Sequence, residues 1–131
     1  MESSDRNGQI EIKIRGTLRD KSGASPASPV AFTCIYRITE GAFTMTARAE
    51  ADGVVLEVPL VSPAAETVRQ LEAGSLEILK PEAVMLVTAT GAMPTLGSTA
   101  RVFNFVPGME ARPLRIALPK GQEVTLQLQL R

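Results

Sequence analysis

Glu72, Glu77 and Glu82 are where a search for chemistry in this chain begins, because its 131 residues include no histidine. Two carboxylates held close together can divide the work of general acid and general base or nucleophile. These three fall at the end of a predicted helix, within a strand and beside Pro81, and no regular element sets two of them on one face. Glu110, in VPGMEARP, is equally isolated. All four read as solvated surface charges. The missing histidine also removes the usual proton shuttle, the commonest metal ligand and the base of a Ser/His/Asp arrangement. The single cysteine, Cys34, can form neither an internal disulfide nor a zinc site. It lies within the apolar run VAFTCIYRI, without a flanking cation or helix start to lower its pKa, and reads as a small buried thiol. No G-x-G-x-x-G or G-x-x-x-x-G-K-[ST] phosphate cradle is written, and no D-x-D-x-D-G calcium loop. The residues therefore predict no catalytic, cofactor or metal site. An enzyme working on carboxylates alone is the one catalytic alternative left.

Partner chemistry is bounded in the same way. Fourteen Lys and Arg balance fourteen Asp and Glu, so the formal net charge is zero and gives no attraction to nucleic acid or an acidic membrane surface. There is no tryptophan, and Phe32, Tyr36, Phe43, Phe103 and Phe105 all share parity with core positions. An aromatic platform for sugars or single-stranded nucleic acid is thus poorly supplied. No run approaches the ~18 apolar residues of a membrane span, and MESSDRNGQ lacks a basic n-region and an apolar h-region. The expected compartment is cytoplasmic if Met1 is the natural start, and secreted if these residues are trimmed from a longer protein. Two loops remain as candidate protein contacts: GAMPTLGSTA, with Met93 and Leu96, and VPGMEARP, with Met109 and Arg112. Set at one end of the fold they would form a flexible apolar patch; the alternative is that both methionines fold back over the core.

The elements that must position these residues are strands. In VTLQLQLR, Val124, Leu126, Leu128 and Leu130 alternate with Thr125, Gln127, Gln129 and Arg131. A period of two means one dry face and one wet face. IEIKIRGTLR repeats the scheme, with Ile10, Ile12, Ile14 and Leu18 inward. Their burial would supply roughly 6–12 kcal/mol before entropy. VAFTCIYRI, AFTMTARAE, VVLEVPLV, SLEILK, VMLVTAT, ARVFNFV and PLRIAL complete about nine strands, spaced as in two packed antiparallel sheets. Asp52–Gly53 suggests a tight hairpin, and Pro59 suggests an edge strand or bulge. Asn104, opposite the phenylalanines of its strand, reads as a hydrogen-bonded structural amide. One short helix is predicted, with Ser62 as N-cap, Pro63 in the first turn, Val68 and Leu71 inward and Gly74 as terminator. The fold class is all-β, an antiparallel two-sheet β-sandwich with one short helix, a single domain over 1–131 behind a polar tail over 1–8.

From Gly53 onward, VVLEVPLVSP, SLEILKPEAVMLVTATG, RVFNFVPGMEARPL and PKGQEVTLQLQL resemble the carboxyl-terminal β-sandwich of heparinase II/III-type polysaccharide lyases. None of these phrases carries a catalytic residue. The resemblance implies a non-catalytic accessory or interaction module associated with a polysaccharide-degrading enzyme, with polysaccharide or protein as partner. The alternative is a structural protein that assembles with itself, because the uncharged Thr125, Gln127 and Gln129 would leave an edge strand open to pairing.

Overall fold

Two-residue alternation governs nearly every segment of the computed structural model, which describes residues 1–6, 8–19, 22–24, 27–63, 66–71, 74–97, 101–102 and 106–131. Among the described residues twelve strands form: β1 (Glu2–Arg6), β2 (Gln9–Thr17), β3 (Ala31–Thr39), β4 (Ala42–Ala49), β5 (Val54–Pro63), β6 (Thr67–Gln70), β7 (Ser75–Leu79), β8 (Val84–Thr90), β9 (Pro94–Leu96), β10 (Arg101–Val102), β11 (Met109–Leu118) and β12 (Val124–Leu130). They make two antiparallel sheets. The larger has the order β1-β2-β3-β4-β12-β8-β7-β6; the smaller has the order β10-β11-β5, with β9 also paired to β11. Two meanders, β1 to β4 and β6 to β8, are thus joined by the last strand of the chain, which pairs with β4 on one side and β8 on the other.

The sheets share one core. Met45, Ala47 and Ala49 of β4, Val124 and Leu126 of β12, Val87 of β8, and Leu76 and Ile78 of β7 meet Leu60 of β5 and Leu114, Ile116 and Leu118 of β11. This is the sandwich-like arrangement that the alternation requires, since each sheet buries one face against the other. The four-stranded sheet is too narrow to cover the eight-stranded one. No described residue of β1, β2 or β3 is fully buried. Ile12 and Ile14 are half-buried, while Ile10 and Leu18 are 43% and 37% exposed, so the β2 aliphatics gain less than the full burial expected of them.

Three further differences from the expected fold have local causes. The predicted helix is not found among the described residues: Ser62 and Pro63 end β5 opposite Glu110 and Met109, and Val68 pairs with Ile78 in a β6–β7 hairpin. Val68 and Leu71 make too thin a stripe to hold a helix against that pairing. Gly74, at φ +75°, instead sits inside the hairpin turn, where the Leu71 amide donates to the Ser75 carbonyl at 2.8 Å. Residues 64–65, 72–73 and 103–105, which include Glu72, Phe103, Asn104 and Phe105, lie outside the described residues. Second, most of the supposed polar tail is β1, a short edge strand of polar residues whose register runs from Glu2 opposite Lys13 to Arg6 opposite Gln9. It has no apolar face to announce it. Likewise β9, three residues long and begun by proline, carries too little pattern to be read as a strand. Third, Asp52–Gly53 makes no hairpin, because β4 and β5 belong to different sheets and the turn hands the chain from one to the other.

Pro59 does lie on an edge strand, as its missing amide hydrogen requires. It faces Pro113 of β11. Opposed residues in an antiparallel pair exchange either two hydrogen bonds or none, so two prolines fit where none is made. The Pro113 carbonyl points the other way and accepts from the Gly97 amide at 2.8 Å.

The core and the turns give separate stability predictions. Leu126→Ala, at a fully buried position on the strand that joins the two meanders, lowers unfolding free energy by about 2–5 kcal/mol in urea titration. Gly41→Ala, at φ +76° with open space around it, costs about 1–2 kcal/mol in left-handed strain. Gly91→Ala costs more, because a Cβ there would stand 2.8 Å from the Glu123 carbonyl oxygen.

Candidate functional site

The register of the large sheet fixes which residues share its outer, solvent-facing surface. Arg15 of β2 lies opposite Thr33 of β3, which lies opposite Arg48 of β4. In the next row Lys13, Ile35, Thr46, Thr125 and Thr90 follow one another across β2, β3, β4, β12 and β8. The third row holds Glu11, Arg37, Thr44, Gln127 and Thr88. Strand spacing puts neighbouring members of a row about 4.8 Å apart and successive rows on one strand nearly 7 Å apart. The surface is therefore a plain of hydroxyls and amides, with its cations gathered toward β2, β3 and β4.

Within it is a cleft of about 250 Å³, lined by Lys13, Arg15, Thr33, Ile35, Thr46, Ala47, Arg48, Glu50 and Glu123. Thr46 forms part of the floor: it is only 8% exposed although it points away from the core, and its hydroxyl shares a 3.0 Å hydrogen bond with that of Thr125. The walls differ in charge. Arg48 Nε donates to Glu50 at 2.8 Å on one side, where Glu123 also stands. Lys13 and Arg15 line the other side, and neither has a carboxylate within 4.0 Å among the described residues. Glu11 is held by Arg37 at 2.8 Å, and Glu2, opposite Lys13 on β1, stays beyond ion-pair distance. Such a cleft offers cationic donors on one wall, carboxylate acceptors on the other and hydroxyls between.

The inner face of the same sheet has a different feature. Ile10, Ile38, Phe43, Leu128, Val87 and Leu76 form one row across six strands. Exposure falls along it from 43% at Ile10 and 40% at Ile38 to zero at Val87 and Leu76, as the small sheet begins to cover it. Phe43, Met85, Leu128 and Leu130 border an apolar cleft of about 200 Å³ on that row. Tyr36 lies beside Phe43, with ring centroids 6.1 Å apart.

The residues singled out by sequence do not converge. Met93 is 67% exposed, whereas Leu96 packs against the core from β9. Met109 and Arg112 are half-buried on β11, where Arg112 reaches Glu110 at 3.9 Å. Pro94, next to Met93, faces Ile116, while Met109 faces Pro63 seven positions back along β11, a separation of roughly 20 Å. Met93 and Met109 thus stand apart, although the two stretches meet where the Gly97 amide donates to the Pro113 carbonyl and Leu96 lies opposite Leu114, two positions from Arg112. Of the carboxylates, Glu77 sits half-buried on β7 and Glu82 in the exposed turn before β8, with Glu110 in the other sheet. Among the described residues no three acidic or cysteine side chains gather in a way that could hold a metal. Lys13, Arg15 and Arg48 were not legible as a group. Their wet-face parity is written in the sequence, but β2 and β3 are joined by a long connection, so the register that aligns them is not.

In comparison with known families, the family model described as Ulvan lyase C-terminal domain matches residues 1–131. No curated protein matches the chain. The matched family is a C-terminal domain of a polysaccharide lyase, the kind of module that the resemblance from Gly53 onward implied, and the match reaches the first residue as well.

Cys34 is half-buried in β3, and its pKa is raised chiefly by loss of solvent, against a smaller lowering from its hydrogen bond with Tyr36. Tyr36 is raised by the same desolvation and then by the neighbouring thiol. Both groups hold their protons more tightly folded than unfolded. Their contribution to stability is complete below the ordinary thiol range and is lost as pH climbs through the raised values. Urea midpoints should therefore fall at alkaline pH, and the paired substitution Cys34→Ala, Tyr36→Phe should flatten that fall.

Proposed function

The chain belongs to the ulvan lyase C-terminal domain family, and from that premise we propose that it is a non-catalytic accessory module of a polysaccharide-degrading enzyme. The match over residues 1–131 carries the reading. It is supported by the dispersal of Glu77, Glu82 and Glu110 over β7, the turn before β8 and β11 of the other sheet, rather than along one face of one element. Elimination on a polysaccharide needs a base beside the proton removed and an acid beside the leaving oxygen, both within hydrogen-bond reach. Incubated with ulvan, the purified chain should release no unsaturated sugar ends, as followed by ultraviolet absorbance. Turnover by the chain alone would sink the accessory reading.

A second reading, contact with a protein surface or with another copy of this chain, is favoured by the exposed end of the apolar row at Ile10 and Ile38, which continues into the partly buried Phe43 and Leu128. The uncharged positions of β12 add nothing to it, because that strand is paired on both sides and its Thr125, Gln127 and Gln129 face outward from mid-sheet. Light scattering across a dilution series tests self-association: a mass that rises with concentration and returns to monomer on Ile38→Lys favours it, and a constant monomer mass removes it.

A further inference from the structure

We propose that the outer-face cleft bounded by Lys13, Arg15, Arg48 and Glu123 is a binding site for one acidic sugar residue of a polysaccharide chain. The proposal rests on the accessory-module reading for its polymer and on the two unlike walls of the cleft for its chemistry. Lys13 and Arg15 project from the same face of β2, two residues apart, with no carboxylate within 4.0 Å of either among the described residues. Two adjacent cations repel one another unless an anion is placed between them. A guanidinium beside an ammonium suits a carboxylate or a sulfate ester, the first offering a planar fork and the second a point charge.

The opposite wall rejects a second anion. Glu50 already engages Arg48 Nε, and Glu123 has no cationic partner within 4.0 Å among the described residues. What Glu123 can accept is a hydroxyl proton, and sugar hydroxyls supply it. Thr33 and Thr46 line the space between, and the Thr46–Thr125 hydroxyl pair holds the Thr46 side chain in place. A ligand that presents a negative group on one side and hydroxyls on the other matches this order; a neutral sugar leaves Lys13 and Arg15 unanswered, and an acidic peptide leaves Glu123 unanswered. At about 250 Å³ the cleft is smaller than the roughly 300–1,000 Å³ of pockets that enclose drug-sized ligands. It also lies open on the sheet surface, as a site for one unit of a passing polymer must.

The test uses the full 131-residue chain in titration calorimetry against four probes at equal ionic strength. Oligogalacturonate carries carboxylates and hydroxyls, sulfated dextran oligosaccharide carries sulfates and hydroxyls, dextran has no charge, and polyglutamate has charge without sugar hydroxyls. Binding to at least one acidic oligosaccharide is expected, weakened at least tenfold by the pair Lys13→Gln, Arg15→Gln and several-fold by Glu123→Ala. The arm that binds identifies carboxylate or sulfate as the anion. The pair Arg69→Gln, Arg131→Gln removes the same charge elsewhere and should leave affinity unchanged, and urea midpoints of all variants verify folding. Absence of binding to both acidic oligosaccharides, equal binding of dextran or polyglutamate, or equal loss in the Arg69/Arg131 pair overturns the proposal. Turnover assayed on the same samples separates the two readings: cleavage overturns the accessory role alone, whereas failed binding without cleavage overturns the cleft alone.

Discussion

The pairing of β12 with both β4 and β8 is the constraint on which the rest of this molecule depends. Without it the large sheet is two unconnected meanders, β1 to β4 and β6 to β8. With it, Val124 and Leu126 stand at the centre of the core, flanked by Met45 and Ala47 on one side and Ala89 on the other. The contact is remote in sequence: Thr46 and Thr125, whose hydroxyls touch, are 79 residues apart. Closing so long a loop costs entropy before any side chain is buried. The strictness of the alternation in VTLQLQL follows from this position. A strand paired on both edges has no freedom to slip, and a shift of one residue would put glutamine into the core.

Unequal sheets explain both surfaces of functional interest. Eight strands opposite four leave the inner side of β2 and β3 only half-covered, which is why Ile10 and Ile38 keep solvent exposure while Val87 and Leu76, on the same row, have none. Beyond that overhang the same strands expose their polar positions on the reverse face. There the β2–β3–β4 register sets Arg15, Thr33 and Arg48 in line and places Lys13 beside them. The apolar overhang and the charged cleft are thus opposite faces of one three-stranded segment. A module that contacts protein on one side and polymer on the other would need little more than this geometry.

Charge is distributed locally rather than globally. Arg37–Glu11, Arg48–Glu50 and Arg115–Glu57 are close surface pairs, and Lys80 Nζ meets both Glu66 carboxylate oxygens at 3.1 and 3.0 Å. The Lys80–Glu66 pair is the most sheltered, with the glutamate side chain 11% exposed, and it ties the loop before β6 to the end of β7. Exposed pairs of this kind contribute about 0–1 kcal/mol each, so they tune the surface more than they hold the fold. A net charge of zero conceals the position of Lys13 and Arg15, neither of which has a carboxylate within 4.0 Å among the described residues.

The sequence by itself determined the class of structure and much of its content. The two-residue period wrote β8 and β12 with their bounds, placed β2, β3, β4, β5 and β7 closely, marked only the second half of β11, whose first residues Met109 to Arg112 read as a loop, and put Pro59 on an edge strand or bulge, of which the edge is found. It did so because a strand's inward face needs apolar side chains whatever its partner is. It did not determine partners. Ser62 and Pro63 became the end of β5, and Thr67 to Gln70 a strand, because β7 offered Val68 a better neighbour than a helix could. Asp52–Gly53 joined two sheets because a turn residue fixes a reversal of the chain and not where the next strand goes. β1 and β9 formed because neighbouring strands had amides to satisfy, a demand invisible in their own residues. The cleft belongs to the same category. Lys13, Arg15 and Arg48 are polar positions on separate strands, and only the long-range register, set by burial of the opposite face, brings them to one place.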